Sequence, residues 1–217
     1  MAAVLFDLDG TLVDSAPDLA GTANDMLLRR AREPAAYERL RLHAGSGARG
    51  MLGAAFGIAP GHADYEALRP EFLAHYATRL LRETRAFAHA LALLDALDSR
   101  RVPWGIVTNK AVHLAEPIAL ALGLLPRAAA LVGGDSTPHT KPHPAPLLEA
   151  ARRMGVSPQA CVYVGDDHRD VKAGRSAGMG TLAAAWGYLG PGEPPDDWGA
   201  DAVIDHPGQV LHWLELA

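Results

Sequence analysis

A chain of 217 residues, 49% of them apolar and 21% charged, has room for one large domain or a core with a small insert. Its formal net charge of −5 comes without a basic block, which argues against nucleic acid, and no apolar stretch reaches the length of a membrane span. The single cysteine, Cys161, cannot close an internal disulfide and fits a reducing cytoplasm; Met1–Leu5 runs straight into the first motif, so no signal peptide is expected.

The first predicted strand is Val4-Leu5-Phe6, with Asp7 where it should end, Asp9 two positions on and Gly10 to turn the chain. In extended backbone, residues i and i+2 face the same way, so Asp7 and Asp9 can share a cleft. Like charges that close need a cation, a shared proton or exposure to water. A helix is expected after Asp14, with Ser15 as cap, Pro17 in its first turn and Asp18 at its positive end, running to about Arg32. From there to about Arg85 the pattern stays helical, with Leu40, Met51, Leu52, Phe56, Leu68, Phe72, Tyr76 and Leu80 as candidate buried positions.

Beyond residue 85 strands and helices alternate. Helical Ala90–Arg100 leads to a strand at Val102–Val107, closed by Thr108-Asn109-Lys110. Helical Val112–Leu122 precedes a short strand at Ala130–Val132, a loop holding Lys141, and a helix over Ala145–Met154. Strand Cys161–Val164 runs into Gly165-Asp166-Asp167; a helix over Asp170–Ala177 then leads to strands at Thr181–Ala185 and Ala202–Ile204, the last of which finishes the chain. Such alternation implies right-handed crossovers and a parallel α/β sheet. The expected division is a core of residues 1–14 and 86–217 with a helical insert, 15–85.

Asp7 and Asp9, Thr108 and Asn109, and Asp166, Asp167 and Asp170 all fall just past strand ends, the edge where such sheets carry function, and Lys141 lies in a loop beyond another strand. Converging carboxylates with few other charges suit Mg²⁺, which keeps waters and prefers carboxylate plus phosphate oxygen. Lys141 supplies a point positive charge, and the Thr108 hydroxyl a phosphate donor. A nucleophilic aspartate, a partner acid and base, a metal and phosphate donors together specify phosphoryl transfer.

These residues, Asp7-Leu8-Asp9-Gly10-Thr11, Thr108-Asn109, Lys141-Pro142 and Gly165-Asp166-Asp167-His168-Arg169-Asp170, resemble in order and spacing the four motifs of the haloacid-dehalogenase-superfamily phosphatases. The resemblance covers essentially the whole chain. It implies a Rossmann-like core with a helical cap, Asp7 as nucleophile, and Asp9 as general acid and then base. It further implies a metal held by Asp7, the Asp9 carbonyl and Asp166, with Asp167 and Asp170 in or near the second layer of ligands. Thr108, Asn109 and Lys141 would hold the phosphoryl group. Within the superfamily the chain looks most like the phosphoglycolate phosphatases and the N-acetylmuramic acid 6-phosphate phosphatases. It departs from them at Ala88-His89, where relatives often carry Pro-Gly.

Competing motifs weigh less. Gly45-Ser46-Gly47-Ala48-Arg49-Gly50 matches a dinucleotide fingerprint but follows no first strand; by the resemblance it is a cap segment from which Arg49 can meet a substrate anion. Gly174-Arg175-Ser176-Ala177-Gly178 matches a serine-hydrolase elbow, yet reads as helix where an elbow needs a strand. His139, His143 and His168 read as solvated loop histidines rather than zinc ligands, and Trp186, Tyr188, Trp198 and Trp213 as packing. Asp9 argues against dehalogenation, which forms no leaving alkoxide to protonate, while a sugar phosphomutase would keep both aspartates. The expected activity is therefore Mg²⁺-dependent hydrolysis of a small, acidic, phosphorylated metabolite, phosphoglycolate or a phosphorylated muramic acid.

Overall fold

The computed structural model describes residues 3–216. The elements, in chain order, are β1 (Ala3–Phe6), β2 (Val13–Asp14), α1 (Ala16–Leu28), α2 (Tyr37–Arg41), α3 (Gly47–Phe56), α4 (Tyr65–Ala77), β3 (Arg85–Ala86), α5 (Ala88–Ser99), β4 (Trp104–Val107) and α6 (Val112–Ala121). They continue with β5 (Ala130–Val132), α7 (Ala145–Met154), β6 (Cys161–Gly165), α8 (His168–Ser176), β7 (Gly180–Ala184), β8 (Ala202–Ile204) and α9 (Gln209–Leu216). Six strands pair in parallel in the order β5-β4-β1-β6-β7-β8, a Rossmann-like α/β sheet.

All four β1 residues are buried, because the sheet is covered on both faces. Their alternation is explicit: Val4 and Phe6 join the cluster of Leu93, Leu97, Ile106 and Ile118 on one face, while Ala3 and Leu5 join Leu147, Tyr163 and Ala173 on the other. From β1 the chain fills one side of the sheet with β4 and β5, then crosses to β6 on the other, so the switch point lies beside β1. Phe6 lies opposite both Ile106 and Val164, which brings the ends of β1, β4 and β6 to nearly the same level. Whatever follows those three strands must meet.

Helices α1 to α4 build a separate apolar cluster around Leu19, Met26, Leu40, Met51, Leu52, Phe72 and Tyr76. Of the eight positions expected to be buried in this stretch, Phe56 and Leu80 are only partly so. The chain leaves the sheet and returns to it through an antiparallel two-stranded ribbon, Val13 opposite Ala86 and Asp14 opposite Arg85. Buried Asp18 closes the return by accepting from the Glu83 and Thr84 amides and the Thr84 hydroxyl.

Some boundaries differ from the sequence reading. Ser15 does not cap α1 with its side chain; the hydroxyl turns back and donates to Asp9 instead. Helix α8 starts at His168 rather than Asp170, because Asp167 accepts from the Arg169 amide and Asp170 from the Asp167 amide, a reciprocal cap. Ala88 and His89 form the first turn of α5, entered through an extended Phe87 whose amide donates to Leu12. The chain does not finish on a strand: α9 follows, with Val210, Leu211, Trp213 and Leu214 on the main core. Among the described residues no helix is long and apolar enough to cross a membrane.

Candidate active site

Asp7, Asp166 and Asp170 each offer a carboxylate oxygen, and those oxygens lie within 4.8 Å of one another at the ends of β1 and β6. Asp166 is wedged between Gly10 and Gly187: a Cβ on either would lie 2.2 or 2.1 Å from its atoms, so neither can carry a side chain. Thr11 and the Tyr188 amide donate to its two oxygens. Lys141, 4% exposed, sits beside the trio with Nζ 2.8 Å from both Asp7 and Asp170 and within hydrogen-bond distance of the Val107 carbonyl and the Tyr163 hydroxyl. One cation thus faces three buried acids.

That imbalance shows in the acids. Burial drives the Asp7 carboxyl up to about 7 against the pull of Lys141, with Asp170 adding to the rise. Burial raises Asp166 well above the usual carboxylate range, and Asp7 and Asp170 push the same way. A hard, oxygen-preferring divalent cation suits this donor set, and the three oxygens are close enough to share one.

An acid whose folded pKa exceeds its unfolded value contributes full stability below the unfolded value, about 4. It loses that stability as pH rises through the folded value, about 7 for Asp7. The Tm gained on adding a divalent cation to chelated protein should therefore grow from pH 5 to pH 8. Asp166→Asn should raise the cation-free Tm at pH 8 and remove most of that gain. Scanning fluorimetry across the pH range checks both; a gain that stays flat with pH would contradict the assignment.

The other expected residues take separate positions. Asp9, 13% exposed, bonds Lys110 Nζ through Oδ1 at 2.7 Å. Thr108 is buried, and its Oγ1 accepts from the Lys110 amide, which leaves the hydroxyl proton to donate. Asn109 has both ends of its amide on the backbone of Lys141, so it orders the lysine loop. Asp167 lies outside the carboxylate trio, spent on capping α8 and on Arg169, whose hydrogen bonds hold its carboxyl low despite burial. Ser176 is an exposed residue at the end of α8 with no strand before it, which removes the elbow reading.

Between the strand ends and helices α1, α3 and α4 lies a cavity of about 460 Å³. Its core wall includes Asp7, Asp9, Thr108, Lys141 and Asp166; its helical wall carries Leu19, Phe72, Leu73 and Tyr65, with Arg49 and Arg69. Both arginines are exposed, and neither has an ion-pair or hydrogen-bond partner among the described residues.

Four contributors escaped the sequence reading. Arg69 was hidden in a helical pattern, and Lys110 read only as a strand terminator. Tyr163 supports Lys141 from inside β6. Tyr188, read as packing, accepts from the Ser15 and Ala16 amides and donates to Asp14, tying the ribbon to the Asp166 loop.

A family model for haloacid dehalogenase-like hydrolases matches residues 1–178. A phosphoglycolate phosphatase of Xanthomonas campestris pv. campestris is 46% identical over 208 residues, 96% of this chain and 94% of that protein. An N-acetylmuramic acid 6-phosphate phosphatase of Pseudomonas aeruginosa is 40% identical over 217 residues, 100% of this chain and 96% of that protein. The crystal structure of a predicted phosphoglycolate phosphatase from Haemophilus somnus 129PT is similar with a TM-score of 0.86 at 28% identity, covering 98% of this chain and 97% of that one.

Proposed function

This chain belongs to the haloacid dehalogenase-like hydrolases and is a phosphatase, and on that premise we propose that it hydrolyses a small phosphorylated carboxylic acid through an aspartyl-phosphate on Asp7, with Mg²⁺ bound. The observation that carries the reading is Asp7 itself: a buried carboxylate at a strand end, oriented by Lys141 at 2.8 Å and opening on a cavity that also exposes Asp9. Residues 15–85 act as the cap and residues 1–14 with 86–217 as the catalytic core. The separate apolar cluster of α1–α4 and the ribbon at their base support that division.

The Asp7 carboxylate attacks phosphorus, an oxygen–phosphorus bond forms, and the ester oxygen leaves with a proton from Asp9. Asp9, now a carboxylate, takes a proton from the water that attacks the Asp7 phosphoryl group, and inorganic phosphate departs. Lys141 orients the nucleophile and offsets its charge. The Thr108 hydroxyl donates to a phosphoryl oxygen. Mg²⁺ held by Asp7, Asp166 and the Asp9 carbonyl, with Asp170 beside them, would supply charge neutralisation for the phosphoryl group. The buried, unpaired Cys161 is in keeping with a cytoplasmic setting.

Phosphoglycolate is one candidate substrate. The cavity volume favours a second, N-acetylmuramic acid 6-phosphate, because pockets of ~300–1,000 Å³ serve ligands much larger than a two-carbon acid. Phosphate release from a panel holding both acids, glycerol phosphate and a hexose phosphate, with Mg²⁺, tests the reading. No phosphate released from any ester would end it, and isomerised hexose phosphate would point to a mutase.

Arg49 and Arg69 are the free guanidinium groups on the cap side of that cavity. Replacing either by Ala should raise KM for the preferred acid about tenfold, the worth of one charge-assisted hydrogen bond. KM for glycerol phosphate should stay nearly unchanged. Equal losses on acidic and uncharged esters would show that neither arginine reads the acid.

A further inference from the structure

Lys110 belongs to none of the roles above, yet this core side chain touches both the acid–base carboxylate and helix α4 of the cap. Its side chain is 8% exposed, and Nζ lies 2.7 Å from Asp9 Oδ1 and 2.7 Å from the Tyr76 hydroxyl. The ammonium also sits 4.8 Å from the centroid of the Tyr76 ring. Both anchors are rigid. The Lys110 backbone is held at the end of β4 by its own bond to Thr108 Oγ1 and by the Gly134 amide. Tyr76 is buried in the last turn of α4, stacked on Phe72 within the cap cluster.

The contacts on Asp9 are one-sided. Lys110 Nζ and the Ser15 hydroxyl both bond Oδ1, and Oδ2 has no protein donor among the described residues. A carboxylate pinned through one oxygen presents the other in a fixed direction, and Asp9 lines the cavity.

We propose that Lys110 is a positioning residue for Asp9: it fixes Oδ1 so that Oδ2 is the atom that gives and takes the proton, and through Tyr76 it makes that alignment depend on a seated cap. The inference rests on Asp9 acting as the general acid. In the step concerned, the ester oxygen–phosphorus bond breaks as the Asp7 oxygen–phosphorus bond forms, and the Oδ2 proton passes to the leaving oxygen. An alkyl leaving group needs that proton; 4-nitrophenolate, a far weaker base, leaves without it.

The test is single-turnover cleavage, with Mg²⁺, of 4-nitrophenyl phosphate and of the best alkyl phosphate from the panel. Lys110→Met keeps the stem and removes the charge, and should slow alkyl ester cleavage about tenfold or more while slowing the aryl ester only about twofold. Tyr76→Phe, which deletes one hydroxyl and covers the case in which the lysine variant misfolds, should bias cleavage the same way by about threefold. Equal slowing of both esters by the two variants would reduce Lys110 to a structural contact and overturn the inference. Asp9→Asn, measured alongside, separates the two layers. If it shows the alkyl bias and Lys110→Met does not, the Lys110 inference alone fails. If Asp9→Asn shows no bias, its role as acid fails and takes this inference with it.

Discussion

Asp7→Asn should abolish turnover of every phosphate ester, by about 10⁴-fold or more. An amide oxygen is a poor nucleophile, and the carboxylate nearest in the chain, Asp9, is held away by Lys110 and Ser15 and is kept for the proton. Asp166 is fenced by Gly10 and Gly187, and Asp170 is bound to Lys141 and to the Asp167 amide. The protein should still fold, since Lys141 keeps Asp170, the Val107 carbonyl and the Tyr163 hydroxyl. The measurement is acid quench of wild type and variant during turnover of ³²P-labelled ester: wild type carries an acid-stable label at Asp7, and the variant, still melting cooperatively, carries none. Labelled, active Asp7→Asn protein would mean that another group attacks phosphorus.

Lys141→Met should be the most destabilising single change in the site. It leaves Asp7 and Asp170 buried without their shared cation, a loss of about 3–5 kcal/mol for a broken buried pair. For a chain of this size that is a fall of roughly 6–20 °C in Tm. Methionine fills nearly the same stem volume, so packing contributes little and the loss reports charge. Because a divalent cation supplies positive charge to the same acids, it should recover part of the fall, and recover less as pH drops and Asp7 protonates. Thermal melts in chelator and in excess Mg²⁺ give both numbers. A chelated Tm equal to wild type would show that Lys141 is not what compensates the carboxylates.

The parts of the site legible in the sequence are those carried by short-range pattern. An apolar run ending in Asp7, another ending in Thr108 and a third ending in Asp166 mark strand ends, and a parallel sheet with its switch point beside the first strand brings such ends together. Lys141 was legible as a charge in a loop, not as a residue 3% exposed at its side chain between two acids. Lys110 escaped because its partner Tyr76 stands 34 residues earlier in a helix, and nothing local links the two. Tyr188 escaped for the opposite reason: its ring does pack, and only its hydroxyl, bonded to an amide 173 residues away, does more. Helix α9 carried a readable signal, Val210, Leu211, Trp213 and Leu214 at helical spacing after Pro207-Gly208, but over a window too short to stand out. Asp167 shows how adjacent carboxylates diverge: a cap claims one, and a cleft claims its neighbour.

The ribbon that pairs Val13 with Ala86 and Asp14 with Arg85 joins exit and re-entry points side by side, so the intervening segment hangs from a clamp two residue pairs wide. Ends so near each other place little demand on the length or shape of what is strung between them. A segment of different size, donated by another enzyme, can be spliced at this clamp without moving β1, β4 or β6. The groups borne by the strand ends would be inherited, while the choice of molecule admitted, and the Tyr76 contact to Lys110, would be rewritten.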